Sequence, residues 1–207
     1  MPTTKPIIVR SSSLPSYADC ARRTGAKLLW EELTAQGYTF RETSQGIGAA
    51  LGTSTHEAAS YSLGQKIKDG SLGNASEAMD MAFDTFHTIQ KMEGIVYDGT
   101  TPTYDRAELQ LKTLVNVYRS KVAPGIEPVE VEIRLEANIG DGYVLSGKFD
   151  VRELVTIRDL KTGAASRAHI SQYGAYGMLC QAHGRTVEKI VEDYLPRKRE
   201  PEPETYP

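Results

Sequence analysis

The spacing of apolar residues changes once along the chain, and this change restricts the possible folds. Ala107 to Val122 carries apolar residues at helical spacing. Pro124-Gly125 ends that helix, because proline cannot continue a helix interior. Val129 to Ile139 then alternates apolar and polar residues, which is the period of a strand with one buried face. The sequence therefore predicts a helical first half followed by a sheet.

Further elements complete this pattern. Helices are also predicted from Ser13, over Lys27 to Leu33, over Ala50 to Leu63, after Asn74, and over Ala168 to Ala182. Strands are predicted over Tyr143 to Val151, Val155 to Lys161 and Glu188 to Leu195. We expect one α/β (α+β) domain over 1–195, with 1–125 mostly helical and 126–195 forming the sheet core, and a flexible tail over 196–207.

Composition limits the classes of protein that the chain can belong to. Its 207 residues are 40% hydrophobic and 25% charged, which is ordinary for a globular domain. No apolar run is long enough for a membrane span, and Met1 to Arg10 lacks a secretory signal. We therefore expect a cytoplasmic protein that does not bind membranes.

Net charge argues against a protein that coats nucleic acid by bulk electrostatics, because it is −3. Contacts with phosphate would need a local basic patch. One candidate is Arg22 and Arg23 with Lys27, and a second is Arg197 to Arg199. We predict that Arg22 and Arg23 are the phosphate contacts.

Asp159 and Lys161 flank Leu160 on a predicted strand. Side chains at i and i+2 of a strand point to the same face, so the carboxylate and the ammonium emerge together. Asp150, near the end of the preceding strand, can approach the same point. Mg²⁺ takes one or two carboxylates together with water and phosphate, and the main-chain carbonyl of Leu160 could add an oxygen. On an exposed strand, the same triplet would be a solvated ion pair.

Two further residues are candidates for this site. Glu132 lies on the polar face of its strand, where a plain surface glutamate is the alternative. His56 shares a helix face with Ala59 and Ser60, whose small side chains would let a metal ion or another backbone come close. A histidine in a helix is otherwise a surface or core side chain.

Gln172 and Tyr176 lie one helical turn apart and share a face. Polar side chains in this arrangement commonly contact phosphate. The alternative is an ordinary helix surface on which Tyr176 is partly packed.

Together these residues resemble the RecB-type branch of the PD-(D/E)XK nuclease superfamily, from Ser11 to about Leu195. The resemblance rests on motifs in the same order as in that family: Ser11 to Cys20, Gly52-x-x-x-His56, Val131-Glu132 with Gly147-Lys148-Phe149-Asp150, Asp159-Leu160-Lys161-Thr162-Gly163, and Gln172-x-x-x-Tyr176.

The resemblance implies a restriction-endonuclease-like αβββαβ core, in which a small mixed sheet is flanked by helices. It implies that His56, Asp150 and Asp159 are metal ligands and that Lys161 is the catalytic lysine. Glu132 would be an accessory acid near the metal.

By the same resemblance, Gln172 and Tyr176 would contact the DNA backbone or order the site. Some relatives hold an iron–sulfur cluster through four cysteines. Cys20 matches the first position, but no cysteine follows Cys180, so we expect no cluster.

These observations predict a DNA nuclease that depends on Mg²⁺ or Mn²⁺ and hydrolyses phosphodiester bonds. We expect an exonuclease, because the sequence shows no separate recognition domain. The chain has no phosphate-loop motif of a helicase, so unwinding would come from a partner such as a helicase, with a recombinase or a single-strand-binding protein as other expected partners. The alternative is a non-catalytic nucleic-acid-binding or assembly subunit that keeps the nuclease fold.

Overall fold

The computed structural model describes residues 6–40, 44–163, 169–198 and 201–207. The helices are α1 (Leu14–Asp19), α2 (Ala21–Leu28), α3 (Trp30–Ala35), α4 (Ile47–Asp69), α5 (Ala75–Met92), α6 (Tyr104–Val117) and α7 (Ile170–Ala182). The strands are β1 (Ile7–Arg10), β2 (Gln45–Gly46), β3 (Ile95–Val96), β4 (Glu130–Gly140), β5 (Tyr143–Arg152), β6 (Thr156–Gly163), β7 (Lys189–Pro196) and β8 (Glu204–Tyr206).

The chain divides into two compact units, and β4 and β5 each pass from one unit to the other. The first unit comprises Met1–Glu42, Ile133–Phe149 and Ala168–Glu188. The second comprises Thr43–Glu132, Asp150–Arg167 and Lys189–Pro207. The single-domain boundary at 1–195 stays a prediction.

In the first unit, β1 pairs with β5 in parallel, from Ile7↔Tyr143 to Arg10↔Ser146. Helix α7 packs on Phe149, whose ring meets that of Tyr176 edge-on with the centroids 4.6 Å apart. Gly147 allows this packing, because an added Cβ would lie 2.6 Å from a methyl carbon of Leu179. The glycine of the Gly-x-x-Asp motif is therefore required by packing in this unit.

In the second unit, the end of β5 pairs antiparallel with β6, β6 pairs parallel with β7, and β7 pairs antiparallel with β8. Helix α4 lies at the centre of the core and buries Leu51, Ala58 and Leu63 completely or almost so. A Cβ on Gly52 would lie 3.1 Å from Oγ1 of Thr162 in β6. Gly52 therefore lets α4 approach β6 closely, one turn before His56.

The predicted order βββαβ is confirmed by β4, β5, β6, α7 and β7. Three differences stand out. Helix α4 begins at Ile47 and ends at Asp69, so it is longer than predicted. The strands β1, β2 and β3 are not predicted from the sequence, because each is too short to show a recognisable alternation. No element is predicted in the tail, where β8 pairs with β7.

Asn74 caps the first turn of α5. Its Oδ1 accepts a hydrogen bond from the N–H of Ser76 at 2.7 Å. Glu77, however, accepts a hydrogen bond from the hydroxyl of Tyr61, and the N–H of Asn74 donates to that same hydroxyl. Tyr61 of α4 therefore takes the place that Glu77 has in a standard box.

Candidate metal centre

The second unit contains every residue predicted to act on a metal or a phosphate bond. The side chains come from four elements: His56 from α4, Glu132 from β4, Asp150 from β5, and Asp159 and Lys161 from β6. The fold therefore brings these residues, which are far apart along the chain, into one region.

Asp150 is fixed by two contacts on its two carboxylate oxygens. Oδ2 accepts a hydrogen bond from the main-chain N–H of Leu160 at 2.7 Å. Oδ1 lies 3.3 Å from Nδ1 of His56. The main chain of β6 thus holds one carboxylate oxygen of Asp150, while the other oxygen faces His56 of α4.

Glu132 reaches this point through an uncommon backbone conformation. Its φ is 58°, in the left-handed region that a residue with a side chain rarely adopts. The conformation interrupts the alternation predicted for β4, as bulges do where they redirect a side chain near an active site. His56, Glu132 and Asp150 each offer one ligand atom, and these atoms lie within 4.8 Å of one another.

Within the described residues, this close set of ligand atoms contains Glu132, which we predicted only as an accessory acid. Asp159 instead contacts Lys161, with 2.5 Å between Oδ2 and Nζ. Asp159 is 1% exposed at its side chain, whereas Lys161 is 24% exposed. The Asp159–Lys161 pair therefore presents a partly accessible ammonium held on a buried carboxylate.

A cavity of about 10 Å³ is lined by His56, Glu132, Asp150 and Leu160. This volume is comparable with that of a single water-sized sphere. Ala59 and Ser60 also line it, as expected for small residues that give room. The cavity can therefore accommodate one small ion or one water.

Tyr118 is a cavity residue that the sequence analysis missed, because it fits the apolar stripe of α6. It is 2% exposed and begins a π-helical segment, Tyr118–Val122. Burial raises the pKa of its hydroxyl, and the nearby charges of Asp193 and Asp150 add to this effect. The wide π turn is a feature often found at functional sites, but no sequence signal marks it here.

Leu160 is 3% exposed and belongs to the hydrophobic core of the second unit. Its N–H is directed at Asp150 of the neighbouring strand. The metal contact predicted for the carbonyl of Leu160 stays a prediction.

The electrostatics of the site favour a bound cation. Burial lowers the pKa of His56, but the charge of Asp150 and its hydrogen bond outweigh burial and raise the pKa to about 9. Burial would raise the pKa of Asp150, but His56 and Lys161 lower it below its usual value. Burial and the charge of Asp150 raise the pKa of Asp159, although Lys161 opposes them. Asp150 and Asp159 therefore share the same positively charged neighbours, His56 and Lys161, and the pKa of Asp150 is lowered while that of Asp159 is raised.

The residues present fit a divalent cation. An imidazole nitrogen and two carboxylates can converge on the small cavity. Imidazole and carboxylate suit hard and borderline divalent ions.

Gln172 and Tyr176 lie in the first unit and are buried, at 4% and 2% exposed. Nε2 of Gln172 donates to the Tyr176 hydroxyl at 2.6 Å, and that hydroxyl donates to the carbonyl of Lys148 at 3.0 Å. Both polar groups are therefore bonded within this unit, and the predicted DNA contact and the predicted ordering of the site both stay predictions.

The two basic patches differ in exposure. Arg22 and Arg23 are exposed on α2, where Arg23 pairs with Asp19. Arg197 is buried in the second unit, and its Nη2 donates to Oδ2 of Asp98 at 2.8 Å. Arg199 lies outside the described residues. A phosphate-binding patch that includes Arg197 is therefore wrong, because its guanidinium is used inside the core.

Comparison with known proteins identifies the class. The sequence profile of the PD-(D/E)XK nuclease superfamily matches residues 11–204. The chain belongs to the PD-(D/E)XK nuclease superfamily. A crystal structure described as a "putative exonuclease" from Eubacterium rectale has a similar fold, with a TM-score of 0.57 and 12% sequence identity, covering 97% of this chain and 72% of that one. A search of curated protein sequences found no significant match.

The predicted fold class, an α/β protein with a restriction-endonuclease-like core, is confirmed. Among the helices of the described ranges, none is long and apolar enough to cross a membrane. Cys20 is partly buried and Cys180 is buried, and both lie in the first unit. The expectation that no iron–sulfur cluster is bound stays a prediction.

Proposed function

We propose that this chain is a divalent-metal-dependent deoxyribonuclease that hydrolyses phosphodiester bonds. The observation that carries the proposal is the set of His56, Glu132 and Asp150 ligand atoms within 4.8 Å of one another. The Asp159–Lys161 pair of the superfamily triplet is the second support.

The proposed roles follow from the contacts. His56, Glu132 and Asp150 would hold the cation, with Asp159 and the Leu160 carbonyl as further ligands. A bound Mg²⁺ or Mn²⁺ would supply positive charge that offsets the phosphate and lowers the pKa of water.

Lys161 would act directly on the reacting groups. Its ammonium is held by Asp159, so its position does not depend on the substrate. Held there, the ammonium would orient the attacking water or stabilise the extra negative charge on the phosphate. Arg22 and Arg23 would contact the DNA backbone.

Several finer points belong to the same proposal. We infer the RecB-type branch from the motif order, and an exonuclease from that branch and from the description of the fold relative. We expect action in the cytoplasm, with a helicase, a recombinase or a single-strand-binding protein as partner. Gln172 and Tyr176 would order the site through Lys148.

The test is cleavage of end-labelled linear single- and double-stranded DNA and of closed circular DNA, with Mg²⁺, Mn²⁺ or EDTA. Wild type should degrade the linear DNA only with metal, and Asp159→Ala and Lys161→Ala should not. Lys91→Ala, an exposed lysine on α5, is the matched control and should cut normally.

Each outcome decides between alternatives. Cutting of the circle would make the protein an endonuclease. Normal cutting by Lys161→Ala would contradict the proposed role of the lysine. No cutting by wild type, with DNA binding retained, would support the non-catalytic subunit.

A further inference from the structure

Helix α2 borders a groove of about 610 Å³ in the first unit, to which no role has been assigned. We call it the α2 groove. Its volume lies within the ~300–1,000 Å³ typical of ligand pockets. The residues that matter for its chemistry are Arg10, Ser13, Arg23, Thr24, Lys27 and Trp30.

The lining of the α2 groove is more positive than the chain as a whole. Arg10, Arg23 and Lys27 contribute cations, although Arg23 also pairs with the exposed Asp19, and Glu31 and Glu32 contribute carboxylates. The whole chain, by contrast, has a net charge of −3. A local excess of positive charge on an acidic protein favours an anionic ligand at this place.

Thr24 supplies an independent sign of a ligand. It is 7% exposed, and its Oγ1 is buried with no hydrogen-bond partner in the part of the chain that the structure describes. Other helical hydroxyls donate to the carbonyl one turn earlier, as in Ser54, Thr55, Ser62, Thr113 and Ser120. Since buried hydroxyls are normally bonded, a phosphate oxygen entering the groove would complete this one.

Trp30 adds a flat apolar surface to the same groove. It is 53% exposed, which is uncommon for the largest aromatic side chain, and it begins α3. Proteins that bind single strands combine a positive groove with aromatic rings on which bases stack. Both parts are present here.

We propose that the α2 groove binds a single-stranded segment of nucleic acid, with its phosphates on Arg23, Lys27 and Thr24 and a base on Trp30. The proposal rests on the proposed function in one respect, namely that the substrate is nucleic acid. Because it concerns the first unit alone, the groove can be tested without metal and without cleavage.

Trp30 is the single tryptophan of the chain, so its fluorescence reports on the α2 groove. The experiment titrates a short oligodeoxythymidylate into full-length Lys161→Ala in EDTA. Stacking should quench the fluorescence, and added salt should weaken binding, because phosphate contacts release counterions. Trp30→Ala, followed by anisotropy of a labelled oligonucleotide, should bind roughly tenfold more weakly, and Trp30→Phe should keep most of the affinity.

Further variants separate a groove from diffuse electrostatics. Arg23→Ala should weaken binding several-fold, whereas Lys91→Ala, an exposed lysine outside the lining, should change it little. Thr24→Val should weaken binding several-fold without lowering the melting temperature, because it removes a hydroxyl that has no partner. Thr24→Ser should restore binding.

The outcomes distinguish this proposal from the proposed function. No quenching, or equal quenching by polyglutamate, would overturn the α2 groove as a nucleic-acid site even if wild type cleaves DNA. Equal losses in Lys91→Ala and Arg23→Ala would also overturn it. Quenching by the oligonucleotide alone, in a protein whose wild type cuts nothing, would support the groove and refute the nuclease.

Discussion

The main-chain N–H of Leu160 donates to Oδ2 of Asp150 at 2.7 Å, so the backbone of β6 positions a carboxylate of β5. Antiparallel pairing of the two strands, at Val151↔Arg158 and Arg152↔Ile157, brings them together beside this bond. The candidate metal centre is therefore partly built into the sheet. Asp150 would be oriented before any ion binds.

This bond predicts different effects for two substitutions of Asp150. Asp150→Asn keeps an oxygen acceptor for Leu160 but loses the charge, so it should lose metal binding and be destabilised only by the lost ion pair with His56. Asp150→Ala leaves a buried N–H without its acceptor and should lower the free energy of unfolding by about 1–3 kcal/mol. Urea unfolding and Mn²⁺ calorimetry would measure both. Equal stability of the two variants would contradict the proposed role of the bond.

The left-handed backbone of Glu132 predicts that one substitution can relieve strain in the fold while it weakens metal binding. A side chain in the left-handed region costs about 1–3 kcal/mol, and glycine avoids that cost. Glu132→Gly and Glu132→Ala should both bind Mn²⁺ more weakly, because both lack the carboxylate. Glu132→Gly should nevertheless be more stable than Glu132→Ala by about 1 kcal/mol. The greater flexibility of glycine in the unfolded chain reduces this difference. A less stable glycine variant would show that the backbone is unstrained.

The sequence predicts the core order βββαβ because each of its elements is long enough to show a period. Asp159 and Lys161 could be paired from the sequence alone, since strand geometry places i and i+2 on one face. The capping role of Asn74 was equally local. These are the features in which short-range physics decides the result.

The remaining features depend on contacts that a sequence does not reveal. Glu132 joins His56 and Asp150 through one left-handed residue that alternation cannot predict. Tyr118 looks apolar by its spacing but borders the cavity. Gln172 looks like a surface residue until its helix is packed. In each case the surrounding fold, and not the local pattern, sets the environment.

Metal affinity should rise with pH because of His56. Its pKa of about 9 in the metal-free protein means that the imidazole is protonated at neutral pH. A metal ion needs the neutral imidazole, so binding must release that proton. The apparent affinity for Mn²⁺ should increase up to about pH 9 and level off above it. Calorimetry in buffers of different ionisation enthalpy would detect the proton.

The matched control is His56→Gln, which keeps a polar side chain but does not titrate. Its affinity should be lower at every pH, and its slope with pH should be smaller. A slope as steep as that of wild type would assign the released proton to another group, such as Asp159.

Gly52 and Gly64 offer a matched pair within α4. Glycine in a helix interior costs about 0.5–1 kcal/mol relative to alanine, so Gly64→Ala, whose Cβ meets nothing within 4 Å, should stabilise the protein by that amount. Gly52→Ala places its Cβ 3.1 Å from Oγ1 of Thr162 and should gain less or lose stability. It should also reduce cleavage, because α4 carries His56. Equal gains in thermal unfolding would contradict a close contact between α4 and β6.

The Asp98–Arg197 pair predicts how stability falls in acid. Burial would raise the pKa of Asp98, but hydrogen bonds from Arg197 and Thr100 outweigh it and hold the pKa well below its ordinary value of 3.8. A carboxyl group with a lowered pKa stabilises the fold above its ordinary value, and this stability is lost as the pH falls toward the lowered one. Urea unfolding should therefore show a loss of stability below about pH 3.8, to which Asp150 also contributes.

Asp98→Asn isolates the contribution of this pair. It should lower stability at neutral pH, because the buried guanidinium of Arg197 loses its counter-charge, and it should flatten the dependence on pH in acid. Asp80→Asn, an exposed aspartate on α5, should keep the wild-type profile. If Asp98→Asn and Asp80→Asn gave the same profile, Arg197 would be stabilised chiefly by Thr101 and not by the charge of Asp98, since Nη1 also donates to the Thr101 hydroxyl at 3.0 Å.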